Sequence, residues 1–541
     1  MSSFFSSEIK KKVEQRSVSF AAQNGLSFTE NNKIVIDVDD SVNYFSGNES
    51  FLKFNVKITN ANEFVCQMDP FIGANVLFDT LRIFTRDNIL LEEITNYNAL
   101  VNIKYMYDND SSINKKRGMT EGVVLHDLNQ MSWNGSEKSR ETNSLSNPWI
   151  DNDGAGNLKQ KDNVSITLPI HSGIFSNSVV FPNRLMGGIR IELTCAQNKY
   201  CFKGLRNALN DTYSPTLSHV AAGAIGTGWT AATATNKIFL QYTNNMMVDI
   251  GRLPFKIGET LKVGTDAGTQ ACIIGSVALV VVAFGGLNYN MIEITTTANH
   301  TSAAPQAAGV AVKSISLGDP TSEISYTISN VELIVEEVIV NDKKIESDMK
   351  QNGKMIYQCN SYQNYRQSVL ATDTSATTMI HLLNSQAKSL LCAPIVGLNS
   401  TQKENLVQFG AQRNNLSGFF DTLESYQFFY GPDGQARLQP DRPVNSSKMS
   451  SALKIYDQDY CIELEKALAH GGIIPRSLNN ALTNTVIGRV LAIGNQIMNV
   501  RNMDFQLNLN YTNPTANKML NVFCYHVRTF EVSSGGVVVI M

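Results

Sequence analysis

The sequence predicts an all-β protein that contains two β-sandwiches in tandem, and three observations support this prediction. Apolar and polar residues alternate along most of the 541 residues, which is typical of half-buried strands. The chain is also longer than the roughly 250–300 residues over which one hydrophobic core keeps growing. Finally, one pair of strand patterns occurs twice, once before residue 340 and once near the end of the chain.

Several segments carry the strand pattern clearly. In FLKFNVKI (51–58) every second residue from Leu52 onward is apolar, and lysine or asparagine lies between. The segment LRIFTRDNILLEEI (81–94) predicts a hairpin that turns at residues 86–88. The same alternation predicts further sandwich strands in VSITLPI (164–170), GGIRIELT (187–194) and MDFQLNLNY (503–511).

Helical patterns are few, and each lies between predicted strands. NYNALVNIKYMYD (96–108) and YDQDYCIELEKALAHGG (456–472) each have apolar residues at helical spacing, and Gly471 is expected to end the second helix. One such helix falls in each half of the chain. We therefore expect short helices in the loops of an otherwise all-β protein.

The repeated pair has different spacing in its two copies. IRIELT, from Ile189, is followed by SNVELIVEEV only at residue 329, whereas FQLNLNY, from Phe505, is followed closely by LNVFCYHVRTFEV at residue 520. The longer gap predicts an insertion in the last loop of the first unit. The repeat is too long for a solenoid, whose units span about 20–50 residues.

These patterns predict five segments. They are an N-terminal arm (1–24), a first sandwich (25–205), an inserted β-rich module (206–318), the closing strand of the first sandwich (319–340) and a second sandwich (341–541). The module is poor in charge and rich in small residues. Its apolar run CIIGSVALVVVAFGGL (272–287) is valine-rich and interrupted by glycine, which favours a strand or hairpin over a membrane helix of ~20 residues.

Charge and cysteine content narrow the functional classes. The net charge of −3 gives no overall attraction to nucleic acid or to an acidic membrane. The eight cysteines include no CxxC pair, so free thiols are expected. No apolar segment flanks the lysines of MSSFFSSEIKKKVEQRS, so no secretory signal is recognised and an intracellular origin is expected.

The order of several segments resembles one known family, the double jelly-roll major capsid proteins, and most closely those of polinton-like viruses and virophages. The resemblance covers most of the chain outside the insertion and the extreme N-terminus. The segments that carry it are FLKFNVKIT, GANVLFDTLRIFTRDNILLEEITNYNAL, GGIRIELTCAQN, YTISNVELIVEEV, SYQNYRQSVLATD, YQFFYGPDGQARLQPDRPV and LNVFCYHVRTFEV.

The resemblance implies two tandem eight-stranded jelly rolls, with the β-rich insertion in the last loop of the first. It further implies a major capsid protein of a double-stranded DNA virus, located in the virion and made in the host cytoplasm or nucleus. Three copies would form a pseudo-hexameric homotrimer that tiles an icosahedral shell. The expected partners are neighbouring capsomers, penton proteins and minor capsid proteins; no catalysis, cofactor, metal or small-molecule substrate is expected.

The N-terminal segment is a candidate assembly arm. Ile9, Val13 and Phe20 would lie near one side of a short helix, surrounded by basic residues. Such an arm would lie on the inner face of the shell and contact a neighbouring capsomer, a minor capsid protein, the genome or an internal membrane. The alternative is a frayed, solvated terminus, and both interpretations stay open. The basic residues are Lys10, Lys11, Lys12 and Arg16.

Signals for other functions are weak. The seven histidines fall in no HExxH spacing, GAIGTG (223–228) lacks the P-loop lysine, and DNDGAGNLKQKD (151–162) lacks one aspartate of a calcium loop. The alternative from another class is a carbohydrate-binding or glycan-active jelly roll, suggested by the aromatic stretches WNGSEKS, YQNYR and ESYQFFYGPDG. The missing secretion signal and the lack of a recognisable carboxylate pair argue against it.

Overall fold

The structure is a computed structural model. It describes residues 14–60, 66–69, 72–108, 111–123, 148–152, 158–204, 235–241, 260–263, 272–284, 287–300, 312–314, 324–339, 353–382, 386–396, 416, 423–430, 436–437, 444–445, 458–476, 486–491, 503–511, 517–533 and 536–540.

Strands dominate from the start of the described chain, and many of them coincide with stretches in which apolar and polar residues alternate. The segment before the insertion forms β1 (Glu14–Ala21), β2 (Ser27–Phe28), β3 (Lys33–Val38), β4 (Tyr44–Asn60), β5 (Cys66–Met68), β6 (Phe78–Thr85), β7 (Leu90–Thr95), β8 (Ile150–Asn152), β9 (Leu158–Gln160), β10 (Val164–Pro169), β11 (Ile189–Cys195) and β12 (Phe202–Gly204). The predicted hairpin at 81–94 is confirmed by the antiparallel pairing of β6 with β7.

The insertion and the closing strand follow. The insertion contains β13 (Thr235–Gln241), β14 (Thr260–Val263), β15 (Cys272–Phe284), β16 (Leu287–His300) and β17 (Val312–Ser314), and β18 (Ile324–Ile339) follows it. The five strands form a separate sheet in the order β13-β16-β15-β14-β17. The apolar run is therefore a strand, β15, as predicted. Among the described residues, no helix is both long and apolar enough to cross a membrane.

The second half of the chain forms another set of strands. They are β19 (Lys354–Val369), β20 (Ser375–Leu382), β21 (Ala387–Val396), β22 (Leu423–Tyr430), β23 (Ala436–Arg437), β24 (Val444–Asn445), β25 (Ile487–Val490), β26 (Met503–Tyr511), β27 (Lys518–Ser533) and β28 (Gly536–Ile540).

Both halves have the same topology. We call β1, β3, β4, β6, β7, β10, β11 and β18 the first roll, and its sheets run β1-β18-β4-β10 and β3-β11-β6-β7. We call β19 to β28 the second roll, and its sheets run β19-β27-β21-β25 and β20-β26-β22-β23, with β24 also on β22 and β28 on β27.

When the additional strands β24 and β28 are left out of the count, each roll has its first, eighth, third and sixth strands in one sheet and its second, seventh, fourth and fifth in the other. This is the order of a jelly roll, so the predicted fold class is confirmed. The insertion lies between the seventh and eighth strands of the first roll, which is its last loop. The exact domain boundaries stay predictions.

The alternation of apolar and polar residues along the strands determines which side chains form the two cores. In β11 the apolar Ile189, Ile191 and Leu193 are buried while the polar residues between them are partly exposed. In β26 the equivalent positions, Phe505 and Leu509 among them, are fully buried. Each such side chain contributes about 1.5–3 kcal/mol by leaving water. Several cysteines lie in or near these cores as free thiols, as predicted: Cys195, Cys201, Cys359, Cys392, Cys461 and Cys524.

Short helices lie in the loops, and the two longest described ones occupy equivalent places. They are α1 (Tyr97–Tyr107), α2 (Ser111–Thr120), α3 (Asn198–Cys201) and α4 (Gln458–His470). Both α1 and α4 lie between the fifth and sixth strands of their roll, where the sequence predicted one helix per half. Gly471 follows α4, donating its N–H to the Ala467 carbonyl (2.8 Å), and Gly472 adopts a left-handed φ of 73°.

The N-terminal segment differs from the expectation. Residues 14–21 form β1, which pairs antiparallel with β18 from Glu14 opposite Ile339 to Ala21 opposite Glu332. The suggested short helix is therefore wrong for these residues, which lie in the first sandwich although they fall within the expected arm. These residues form a strand because burial alternates from one residue to the next: Val18 and Phe20 are partly buried, while Ser17 and Ser19 are exposed. Residues 9–13 lie outside the described residues.

Candidate assembly junction between the two rolls

The two rolls meet along two edge strands. β7 is the last strand of its sheet in the first roll, β19 is the first strand of its sheet in the second, and the two lie against each other. An edge strand presents backbone N–H and C=O groups that need partners. We call this contact the junction; it comprises β7, residues 96–108 and 173–181 of the first roll, and β19, β27 and Arg476 of the second.

Glu92 is the charged centre of the junction. Its side chain is 0% exposed, and its carboxylate accepts hydrogen bonds from the backbone N–H groups of Gly173 (2.6 Å) and Ile174 (3.4 Å). It also accepts a hydrogen bond from the Ser361 hydroxyl of the second roll. A buried carboxylate without such partners would be strongly unfavourable. Glu92 therefore holds a loop of the first roll and a strand of the second in one arrangement.

Arg528 supplies the opposite charge. Its side chain is buried, and its Nη2 donates to the Leu90 carbonyl of β7 at 3.4 Å. Burial lowers the pKa of Arg528, and the neighbouring Glu92 carboxylate opposes that shift. The hydrogen bond from Arg528 thus joins β27 of the second roll to β7 of the first.

Neutral amides continue the contact along the same edge. Asn364 Nδ2 donates to the Thr95 carbonyl at the end of β7 (3.1 Å) and lies 3.2 Å from Asn521 Oδ1. Asn521 is fully buried and also accepts a hydrogen bond from Asn96. These side chains satisfy backbone groups that an isolated roll would expose to water.

Aromatic and close backbone contacts complete the buried part. The rings of Phe181 and Tyr357 lie 5.2 Å apart in an edge-to-face arrangement, and Asn177 Nδ2 donates to the Tyr357 hydroxyl at 3.0 Å. Burial raises the pKa of Tyr357, which keeps the hydroxyl neutral. A Cβ on Gly173 would lie 2.6 Å from the Asn360 carbonyl oxygen, so glycine permits the backbones to approach here.

More exposed contacts lie beside α1. Arg476 Nε donates to Asp108 at 2.8 Å, and the Arg476 N–H donates to the Tyr107 carbonyl at 2.9 Å. Lys104 Nζ lies 4.8 Å from the centre of the Tyr362 ring. Burial lowers the pKa of Lys104 to about 8. The helix in the loop of the first roll is thus attached to the second roll.

A buried polar network supports α1 from within the first roll. The Tyr105 hydroxyl donates to Glu121 and lies 2.9 Å from His171 Nε2, and Asn75 donates to Glu121 at 2.9 Å. The Arg117 guanidinium lies 3.6 Å over the Tyr105 ring. Burial lowers the pKa of His171 well below its usual value and raises that of Glu121. Buried polar networks of this kind favour one arrangement of the elements that they join.

The structure places the predicted arm residues away from the junction. Arg16 lies on β1 and pairs with the buried Glu337 of β18, and Phe20 packs against the core of the first roll. Ile9, Lys10, Lys11, Lys12 and Val13 lie outside the described residues.

Sequence reasoning did not identify the junction residues, although one signal was present. Glu92 and Glu93 are adjacent in a strand, so their side chains point to opposite faces and one glutamate must point inward. Arg528 gives a similar signal, because it lies two residues before the core position Phe530 in the alternation of β27. Neither signal shows which residue the buried side chain contacts.

The features behind the alternative functions have structural roles where they are described. The Tyr362 hydroxyl of YQNYR donates to the Gly471 carbonyl, and Tyr426 and Phe428 of ESYQFFYGPDG belong to the core. WNGSEKS and GAIGTG lie outside the described residues, as does the centre of DNDGAGNLKQKD. Within the described part of the chain, no group of histidine, cysteine or acidic residues is arranged to hold a metal ion.

Comparison with known proteins shows similarity in structure alone. No protein family model and no curated protein sequence matches the chain. Among solved structures, the Faustovirus major capsid protein aligns with a TM-score of 0.51 at 9% identity, over 96% of this chain and 91% of that one. This chain has the double jelly-roll fold.

A chain in the cryo-EM structure of the Sputnik virophage also aligns, with a TM-score of 0.48 at 7% identity over 98% of this chain and 88% of that one. The mavirus major capsid protein aligns with a TM-score of 0.39 at 10% identity, over 97% and 90% of the two chains. Sequence identity this low leaves function to be argued from the junction.

Proposed function

We propose that this protein is a major capsid protein of a double-stranded DNA virus, and that three copies form a pseudo-hexameric capsomer that tiles an icosahedral shell. The observation that carries this proposal is the junction between two rolls of identical strand order. It fixes them side by side through buried charge, amide and aromatic contacts. A threefold assembly of such subunits presents six similar rolls.

The proposed mechanism is assembly. Subunits within the trimer would share an obligate interface, typically about 2,000–5,000 Å². Contacts between trimers would be weaker individually and strengthened by their number. The proposed partners are neighbouring capsomers, penton proteins and minor capsid proteins, and the proposed location is the virion. The solved structures with this fold include proteins named as major capsid proteins, which agrees with the proposal.

Purified protein tests the assignment directly. Light scattering coupled to size-exclusion chromatography should give the mass of three 59.6 kDa chains. Electron microscopy should then show hexagonal, three-lobed particles. A monomer at high protein concentration would contradict the proposal.

The basic N-terminal segment has a proposed role in the shell. Because β1 begins at Glu14, we expect the assembly arm to consist of the residues before it, including Ile9, Lys10, Lys11, Lys12 and Val13. Deleting residues 1–13 should leave the trimer intact, because β1 is retained, and should lower the yield or salt resistance of assembled shells. Shells of unchanged yield and stability would assign no assembly role to the segment.

A further inference from the structure

The hydroxyl of Tyr105 lies between two groups that each bind protons. It donates a hydrogen bond to the Glu121 carboxylate and lies 2.9 Å from His171 Nε2. Tyr105 is 2% exposed and Glu121 is 6% exposed, so bulk water is largely excluded from this contact. Tyr105 belongs to α1, Glu121 follows α2 and His171 lies in the loop after β10. We call these three residues the relay.

The single proton of the Tyr105 hydroxyl determines how the relay accepts another. With Glu121 ionised, Tyr105 donates to the carboxylate, and His171 donates from Nε2 to the Tyr105 oxygen. With Glu121 protonated, the carboxyl donates to the Tyr105 oxygen, and Tyr105 donates to an unprotonated Nε2. Both arrangements keep two hydrogen bonds and a neutral imidazole. The relay is therefore able to take up one proton without losing a contact.

We propose that the relay protects the junction against acid: a proton enters at Glu121, both hydrogen bonds of Tyr105 reverse direction, and His171 stays neutral. The relay lies within one subunit, so this inference does not depend on formation of the trimer. It assigns a function to a polar network that has no catalytic partner and lies beside the junction.

His171 is connected to the junction through its own backbone. Its N–H donates to the Tyr97 hydroxyl at 2.8 Å, and two residues later Gly173 donates to Glu92 at 2.6 Å. The other side of the relay leads along α1 to Asp108, which pairs with Arg476 of the second roll. A charged His171 would therefore disturb both parts of the first roll that hold the second.

The charges around the relay disfavour an imidazolium. Burial lowers the pKa of His171 well below its usual value, and the positive charges of Lys104 and Arg117 lower it further. The Arg117 guanidinium lies 3.6 Å over the Tyr105 ring. The ionisable groups that face the relay are Tyr97, Lys104 and Asp108 of α1 and its end, Lys116 and Arg117 of α2, and Glu92 of β7.

Glu121 and His171 act on the junction in opposite directions. Because the pKa of His171 is lowered in the closed junction, opening takes up a proton as the pH falls below the ordinary value of 6.5, and acid favours opening. Because burial raises the pKa of Glu121, the closed junction binds a proton that an open one binds only near the ordinary value of 4.5, and acid favours closure. Glu121 thus opposes the acid sensitivity of His171.

Glutamine variants separate the two effects, because glutamine forms hydrogen bonds but carries no charge. Hydrogen exchange of residues 97–108 and 171–174 in the full chain, followed by mass spectrometry at pH 6.5, 5.5 and 4.5, measures opening once labelling times are scaled to the intrinsic rate. As the pH falls, the opening constant should rise in Glu121→Gln, by up to about tenfold per pH unit for one proton. It should fall in His171→Gln, and the wild type should lie between the two.

Two controls accompany these variants. Glu463→Gln removes a carboxylate that is 13% exposed from its pair with Arg489 inside the second roll, and it should behave as the wild type does. The double variant Glu121→Gln with His171→Gln lacks both proton-binding groups and should open to nearly the same extent at each pH. Either single variant is decisive alone, because each is compared with the wild type. An unchanged pH dependence in a folded single variant would overturn the inference and leave the proposed function standing.

Discussion

The carboxylate of Glu92 lies between the two rolls with no exposed surface, and it accepts hydrogen bonds from three buried donors. Replacing it with alanine leaves these three donors without their acceptor. Each buried group left unpaired costs about 1–3 kcal/mol, so the total cost is about 3 kcal/mol or more. We therefore expect Glu92→Ala to lower the free energy of unfolding by that amount, as measured by urea denaturation.

The neighbouring residue provides the control. Glu93 points to the opposite face of β7, where it pairs with Arg82 at 2.7 Å and both side chains are partly exposed. Exposed pairs contribute about 0–1 kcal/mol, so Glu93→Ala should change stability little. Equal losses for the two variants would show that Glu92 does not stabilise the junction.

At the scale of elements, β27 carries a histidine in its buried face. His526 is 1% exposed, and burial lowers its pKa to about 4. In the unfolded chain His526 binds a proton once the pH falls below its ordinary pKa of about 6.5. In the folded chain it does not bind this proton until about pH 4. The folded state should therefore lose about 3 kcal/mol as the pH falls through this window.

Urea denaturation between pH 7 and pH 4.5 measures this loss. His526→Leu should flatten the pH dependence, although part will remain because burial also lowers the pKa of His171. Val522→Ala, at a fully buried position of the same strand, is the control without an ionisable group, and it should lower stability without changing the slope. An unaltered slope in His526→Leu would contradict a buried neutral histidine.

Elements were predictable from sequence where the period of apolar residues was unambiguous. β11 and β26 alternate strictly, and α1 repeats at helical spacing over three turns, so local sequence determines each of them. β1 was misassigned because its apolar residues are few and its one basic residue, Arg16, fits either period. The junction was not predictable, because the partners of Glu92 lie at residues 173, 174 and 361, and all of them come together only when both rolls have folded.

The whole molecule is two rolls that share one set of buried contacts, and this arrangement has a thermodynamic consequence. Separating the rolls would expose Glu92, Asn521 and the edge backbone of β7 without their partners. A folded first roll beside an unfolded second roll is therefore disfavoured. We expect a single cooperative transition in scanning calorimetry of the isolated subunit, held below the concentration at which it self-associates.

Removing two junction amides together tests this coupling. Asn364→Ala with Asn521→Ala deletes the contacts with the Thr95 carbonyl and with Asn96, at about 1–3 kcal/mol for each buried group left unpaired. The double variant should unfold in two transitions, one for each roll. A control pair on exposed or partly exposed strand faces, Asn55→Ala with Asn510→Ala, should keep one transition. Two transitions in the wild-type chain would mean that the rolls fold independently, and the junction would then be too weak to orient them for a threefold assembly.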